Sequence, residues 1–77
     1  MLTEEELRKI ITDKVTGIDA DTIPVETVFS DVGIDSLDHA VILLAMDEEY
    51  GLKVPDDDVD QCNSIKNILQ YAKEMKA

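Results

Sequence analysis

Few residues of this chain could do chemistry, and they gather near its middle. In Gly33-Ile34-Asp35-Ser36-Leu37-Asp38, Asp35 is placed to cap a helix. Its carboxylate can accept from first-turn N–H groups, with Asp38 three residues on as a short form of capping box. Ser36 is then the first helical residue. A hydroxyl there is exposed, and a phosphate attached to it would lie among unpaired N–H groups at the positive end of the helix dipole. The position suits a phosphodiester. Serine at a helix start is also common as plain capping, so the motif takes its meaning from its surroundings.

Other chemistries fare worse. Ser36 and His39 lie three apart on one helix, which suggests nucleophile and base. A chain this small, however, argues for neither an oxyanion hole nor a pocket. His39 reads as a partly buried helix residue. Asp56, Asp58 and Asp60 match the first three alternating ligands of a calcium loop, but Gln61 stands where glycine is expected and Asn67 where glutamate is expected. An acidic helix start is the simpler reading. Cys62 is the single cysteine, so there is no internal disulfide, and one Cys with one His makes no protein-only zinc site. With no basic residue nearby to activate its thiol, Cys62 reads as a small core residue.

The elements that must position Ser36 follow from periodicity. Thr3 with Glu6 forms a capping box and Leu2 with Leu7 a hydrophobic staple, predicting a helix over about 4–16 ended by Gly17. Leu7, Ile10, Ile11 and Val15 form its buried stripe. Residues 18–35, with Pro24 and irregular apolar positions Ile18, Ile23, Val25, Val28, Phe29, Val32 and Ile34, form a long loop that must be packed down. Phe29 is its core anchor. The second helix spans 36–50, stopped by Gly51, with Leu43, Met46 and Tyr50 inward, flanked by Ala40. Leu37, Val41 and Leu44 fall on nearly the opposite side with Glu48, meaning either deep burial or a contact surface. The acids Asp38, Glu48 and Glu49 favour a contact rim. After an extended Leu52–Pro55 linker, Asp56 opens a helix of one to two turns. Ser64 or Asn63 caps a last helix to about Lys73, with Ile65, Ile68, Leu69, Ala72 and Met75 at helical spacing. The expectation is all-α: a small four-helix bundle of three longer helices and one short one, with a long loop between the first two, in a single domain over 1–77.

Length and charge narrow the function. A chain of 77 residues buries only roughly 60% of its unfolded surface, enough for one small core. Eighteen acids against seven bases give a charge of −11, which repels nucleic acid and anionic membrane and favours basic protein partners. Ten of the acids, with Lys53 as the one base, lie between Asp31 and Asp60, a net of −9 around the serine-bearing helix. The acidic N-terminus does not read as a signal peptide, and no apolar stretch approaches the ~20 residues a membrane span requires. The expected location is the cytoplasm.

Gly33-Ile34-Asp35-Ser36-Leu37-Asp38 resembles the Asp-Ser-Leu attachment motif of acyl carrier proteins, and the resemblance runs from about Glu4 to Met75. It implies a 4′-phosphopantetheine arm on Ser36, added by a phosphopantetheinyl transferase and flanked by Asp35 and Leu37. Acyl groups would ride as thioesters on the arm's thiol. It also implies a monomer without enzyme activity that meets acyl-transferring, condensing or ligating enzymes with basic docking patches. The docking face would comprise Asp35, Leu37, Asp38, Val41, Leu44, Glu48, Glu49 and Asp56. Small or adaptable residues Ala40, Ala45, Met46 and Cys62 would leave the interior deformable enough to shelter an acyl chain. Many family members carry glutamate at the place of Val41, and often an aliphatic residue at those of Ala40 or Cys62. The more apolar face points toward a dedicated ligase or synthase of a specialised lipid or polyketide pathway rather than general fatty-acid synthesis. Two other readings stand beside this one. An aminoacyl or peptidyl carrier shares the arm but tends to lack the aspartate before serine, and an acidic helical interaction subunit would use Ser36 only as a cap.

Overall fold

The structure, a computed structural model, describes residues 2–76, with the side chain of residue 76 excepted. Three α-helices, α1 (Glu4–Lys14), α2 (Ser36–Tyr50) and α3 (Ile65–Lys76), surround one core. Short 3-10 segments stand at Ala20–Thr22, Phe29–Val32 and Asp56–Gln61, the last being the expected short helix. Among the described residues there is no β-strand, only an isolated antiparallel bridge between Val28 and Ser64.

The start of α1 follows its sequence signals. Thr3 N–H donates to Glu6 Oε1 at 2.9 Å, and Glu6 N–H donates to Thr3 Oγ1 at 3.1 Å. The Thr3 N–H holds the Glu6 carboxyl below its usual range. Leu2 and Leu7 are both buried, as the staple requires. The end differs from expectation. The helix stops at Lys14, because Val15 turns extended to bury its side chain; Gly17 lies beyond, in the turn that follows.

The long connection is pinned to both neighbouring helices. Arg8 Nη1 on α1 donates to the carbonyls of Ala20 and, at 2.7 Å, Ile23, while its Nε pairs with Glu4 at 3.0 Å. Thr12 Oγ1 accepts from Ala20 N–H at 3.0 Å. On the other side, Phe29 N–H donates to Asn63 O and Lys66 N–H to Val25 O, each at 2.9 Å. Between these ties Ile23, Phe29 and Ile34 are buried, with Ile18, Val25 and Val32 packed against them. The connection is therefore ordered by side-chain bonds from α1 near its start, backbone pairing at Val25 and Phe29, and apolar burial along its length, and Phe29 is the buried anchor expected of it.

Helix α2 is apolar on two sides. Ile42, Leu43, Ala45 and Met46 are buried, so the inward stripe is turned toward Ile42 and Ala45; Tyr50 is only half-buried and Ala40, expected beside the core, is exposed. Gly51 adopts φ +68° and closes the helix, its N–H on Asp47 O, which drops Leu52 into the core. Ser64, rather than Asn63, caps α3 by accepting from Asn67 N–H at 3.1 Å. That helix runs to Lys76, beyond the expected Lys73, and Met75 at its end is 56% exposed instead of joining the apolar stripe. Tyr71 on α3 donates to Asp58 Oδ2 at 2.7 Å, fastening the Asp56–Gln61 segment; that bond, with burial, pushes the tyrosine up to about 12.

Two expectations follow. Arg8→Met keeps the aliphatic stem but leaves the Ala20 and Ile23 carbonyls without their charged donor. It should cost about 2 kcal/mol, lowering Tm in a thermal melt by roughly 10 °C. The second concerns charge. Among the described residues Arg8–Glu4 is the one ion pair, so none of the ten acids from Asp31 to Asp60 is neutralised by a direct partner. Raising ionic strength from about 10 mM to about 150 mM shortens the screening length from about 30 Å to about 8 Å. Tm should then rise by roughly 5 °C, and millimolar magnesium should act in the same direction. An unchanged Tm would show that self-repulsion is not what limits this fold.

Candidate functional site

The site begins with a glycine. Gly33 adopts φ +87° at the end of the Phe29–Val32 turn, a left-handed conformation that other residues rarely take. The chain thereby swings back, Ile34 N–H bonding Phe29 O at 3.1 Å while its side chain enters the core. Asp35 emerges extended as the N-cap of α2, its Oδ1 accepting from Asp38 N–H at 2.8 Å and its carbonyl from His39 N–H at 2.9 Å. The expected reciprocal bond from the Asp38 carboxylate is not made; aspartate is a methylene shorter than the glutamate that closes the box at Thr3. Ser36 is the first helical residue and is exposed, as is Asp35.

Two shallow clefts flank Ser36, where the small chain argued for none. One, about 380 Å³, lies between α2 and the Asp56–Gln61 segment and is lined by Ala40, Leu44, Val54, Asp56 and Val59 among others. The other, about 340 Å³, faces the loop and Asn63, with Val28, Ser30, Ile34 and Asp35 along it. His39 lines both. Its Nε2 donates to Cys62 O at 2.6 Å, and its ring meets Phe29 edge-on, centroids 5.6 Å apart at 65°. With Nε2 committed to a carbonyl, that nitrogen is not a base for Ser36. Cys62 itself is buried, and burial together with the nearby Asp58 pushes its thiol up to about 11, an unreactive core position.

The outer side of α2 is an apolar strip bordered by acid. Leu37 is 73% exposed, Leu44 57% and Val41 36%; Glu48 and Glu49 are exposed, and Asp38 is half-buried. Periodicity left this side as either buried or a contact surface, and it is open. Asp56, far along the chain, shares the larger cleft with Ser36. Asp47, Lys53, Val54, Val59 and Asp60 line that cleft too, and no spacing rule could have found them, because none brings the turn after a helix back alongside its start. Among the described residues no group of three or more His, Cys, Asp or Glu converges as a metal site. Within the acidic run, Asp58 accepts from both Gln61 and Tyr71.

The residues at the head of α2 fit a phosphodiester on Ser36. The hydroxyl is open to a modifying enzyme. The Ser36 and Leu37 N–H groups have no partner among the described residues and lie at the positive end of a 15-residue helix, where they can meet phosphate oxygens. A 4′-phosphopantetheine group would bring a thiol able to form thioesters. The protein's own part would be to keep Ser36 exposed with the strip of Leu37, Val41 and Leu44 beside it.

Comparison with known proteins agrees with this geometry. A family model for the phosphopantetheine attachment site matches residues 5–72. An acyl carrier protein of Nitratidesulfovibrio vulgaris is 38% identical over 72 residues, covering 92% of this chain and 93% of that protein. One from Zymomonas mobilis is 34% identical over 76 residues, 97% of this chain and 96% of its own. A mitochondrial acyl carrier protein of Dictyostelium discoideum is 36% identical over 73 residues, 86% of this chain and 61% of that one. With a family model and relatives matching across nearly all its length, the chain belongs to the acyl carrier protein family, whose members bear 4′-phosphopantetheine and carry acyl groups without catalysing a reaction themselves.

Proposed function

We propose that Ser36 is the attachment point of the phosphopantetheine arm and that the protein delivers acyl thioesters from it as a single-domain cytoplasmic monomer. The observation that carries this reading is the exposed Ser36 hydroxyl at the first position of α2, capped by Asp35 and inside the matched span. As a member of its family the chain works with a phosphopantetheinyl transferase and with enzymes of acyl-chain synthesis. Incubation with a broad-specificity transferase and coenzyme A should add the mass of one phosphopantetheine to the intact protein, and Ser36→Ala should gain none. A wild-type protein that stays unmodified, or a Ser36→Ala protein that loads equally, would refute the assignment. The unmodified interaction subunit would give the first of those results.

We further propose that partner enzymes dock on Leu37, Val41 and Leu44 with basic residues facing Asp35, Asp38, Glu48, Glu49 and Asp56. Exposed ion pairs contribute only roughly 0.2–1 kcal/mol each, so several of them speed encounter while leaving departure easy, as a shuttle needs. Val41, 36% exposed at the centre of the strip, supplies apolar contact in place of an acid. This favours a dedicated ligase or synthase with a matching apolar patch over a general fatty-acid synthase. Val41→Glu should lower kcat/KM with the cognate enzyme by roughly fivefold, about 1 kcal/mol, without changing Tm appreciably. Unaltered turnover with every cognate enzyme would remove Val41 from the docking face.

A further inference from the structure

His39 is used by none of the roles above, yet it makes both a hydrogen bond and an aromatic contact to distant parts of the chain. Three separate parts of the chain meet at it. It belongs to the first turns of α2, three residues from Ser36. Its Nε2 donates to the carbonyl of Cys62, just ahead of α3, at 2.6 Å. Its ring lies edge-on to Phe29 of the long connection, and Phe29 N–H in turn bonds Asn63 O at 2.9 Å, closing a loop of contacts through Phe29, His39, Cys62 and Asn63. The same imidazole forms a wall of both clefts beside Ser36.

We infer that His39 is a positioning residue for loading: it clamps the serine-bearing turn of α2 to the segment ahead of α3 and so fixes the direction in which Ser36 is presented. The physical reason lies in what else holds that turn. The buried Ile34 anchors the incoming chain two residues before Ser36, but within the helix residues 36 and 37 have no intrahelical N–H bonds and Ser36, Leu37, Ala40 and Val41 are all exposed, so the first turn itself makes little apolar contact with the core. Asp35 caps the helix but ties it only to itself. His39 supplies a polar bond and an aromatic contact to the rest of the protein at this end of α2. A small change in the setting of a reacting hydroxyl is enough to slow a transfer step considerably.

The inference rests on Ser36 being the loaded residue, and the test keeps the two apart. His39→Gln retains an N–H able to reach Cys62 O, while His39→Leu fills similar volume without a donor; both are good helix formers, so propensity is controlled. In native-state hydrogen exchange, amides of residues 38–41 and 62–64 should lose about tenfold protection in His39→Leu, with α1 and the later turns of α2 unaffected. In the loading assay, kcat/KM for the transferase should fall about tenfold in His39→Leu and return to within about twofold of wild type in His39→Gln. Uniform loss of protection throughout the bundle, or equal loading of all three proteins on Ser36, would overturn the inference and leave the attachment site standing. Failure of the wild type to load would instead refute the attachment site, and the exchange pattern would still decide whether His39 clamps the turn. Should His39→Leu unfold at the assay temperature, the wild type decides: residues 38–41 and 62–64 must open together if the clamp exists, and separately if it does not.

Discussion

Burial of Phe29 and Ile34 at the end of the long connection fixes where α2 can begin. Both side chains are in the core, and the left-handed Gly33 between them lets the backbone reverse, so that Ile34 turns inward and Asp35 stands at the surface directly after it. Asp35 and Ser36 are therefore outward because their immediate predecessors are inward. A serine at a helix start is ordinary; here the chain leading into it is anchored by a buried side chain two residues earlier.

The connection stays in place because its ends do not rely on apolar contact alone. Arg8 reaches across from α1 to two loop carbonyls, and the Phe29–Asn63 and Val25–Lys66 backbone bonds tie it to the segment ahead of α3 and to α3 itself. A small domain has few side chains to spare for a core, so polar ties that satisfy loop backbone groups matter more than they would in a larger one. Around α2 the acids crowd without direct cationic partners among the described residues. Like charges crowded there work against the compact state and give that surface a strongly negative field.

Helix α2 serves both demands through its two apolar sides. Ile42, Leu43, Ala45 and Met46 hold it to the core, while Leu37, Val41 and Leu44 stay in solvent. Leaving three large aliphatic residues exposed on one strip is unfavourable for the free protein, and that strip begins beside the exposed Ser36. The inward side also carries His39, whose bond to Cys62 O is the polar link from this helix to the region ahead of α3.

The sequence by itself determined the elements whose causes are local: the capping box at Thr3 and Glu6, the stop at Gly51, the Asp35 cap with Ser36 after it, and the concentration of acid around them. Each depends on residues within a few positions of one another, where spacing and geometry coincide. Tertiary structure alone decided that α1 stops at Lys14 to bury Val15, that Ala40 faces out while Ile42 faces in, and that Arg8 spans to the loop. It alone brought Asp56 and Lys53 to the cleft beside Ser36 and joined His39 to Cys62. Those outcomes depend on how helices rotate against a shared core and on which distant carbonyl falls within reach of a donor, quantities that no local periodicity encodes.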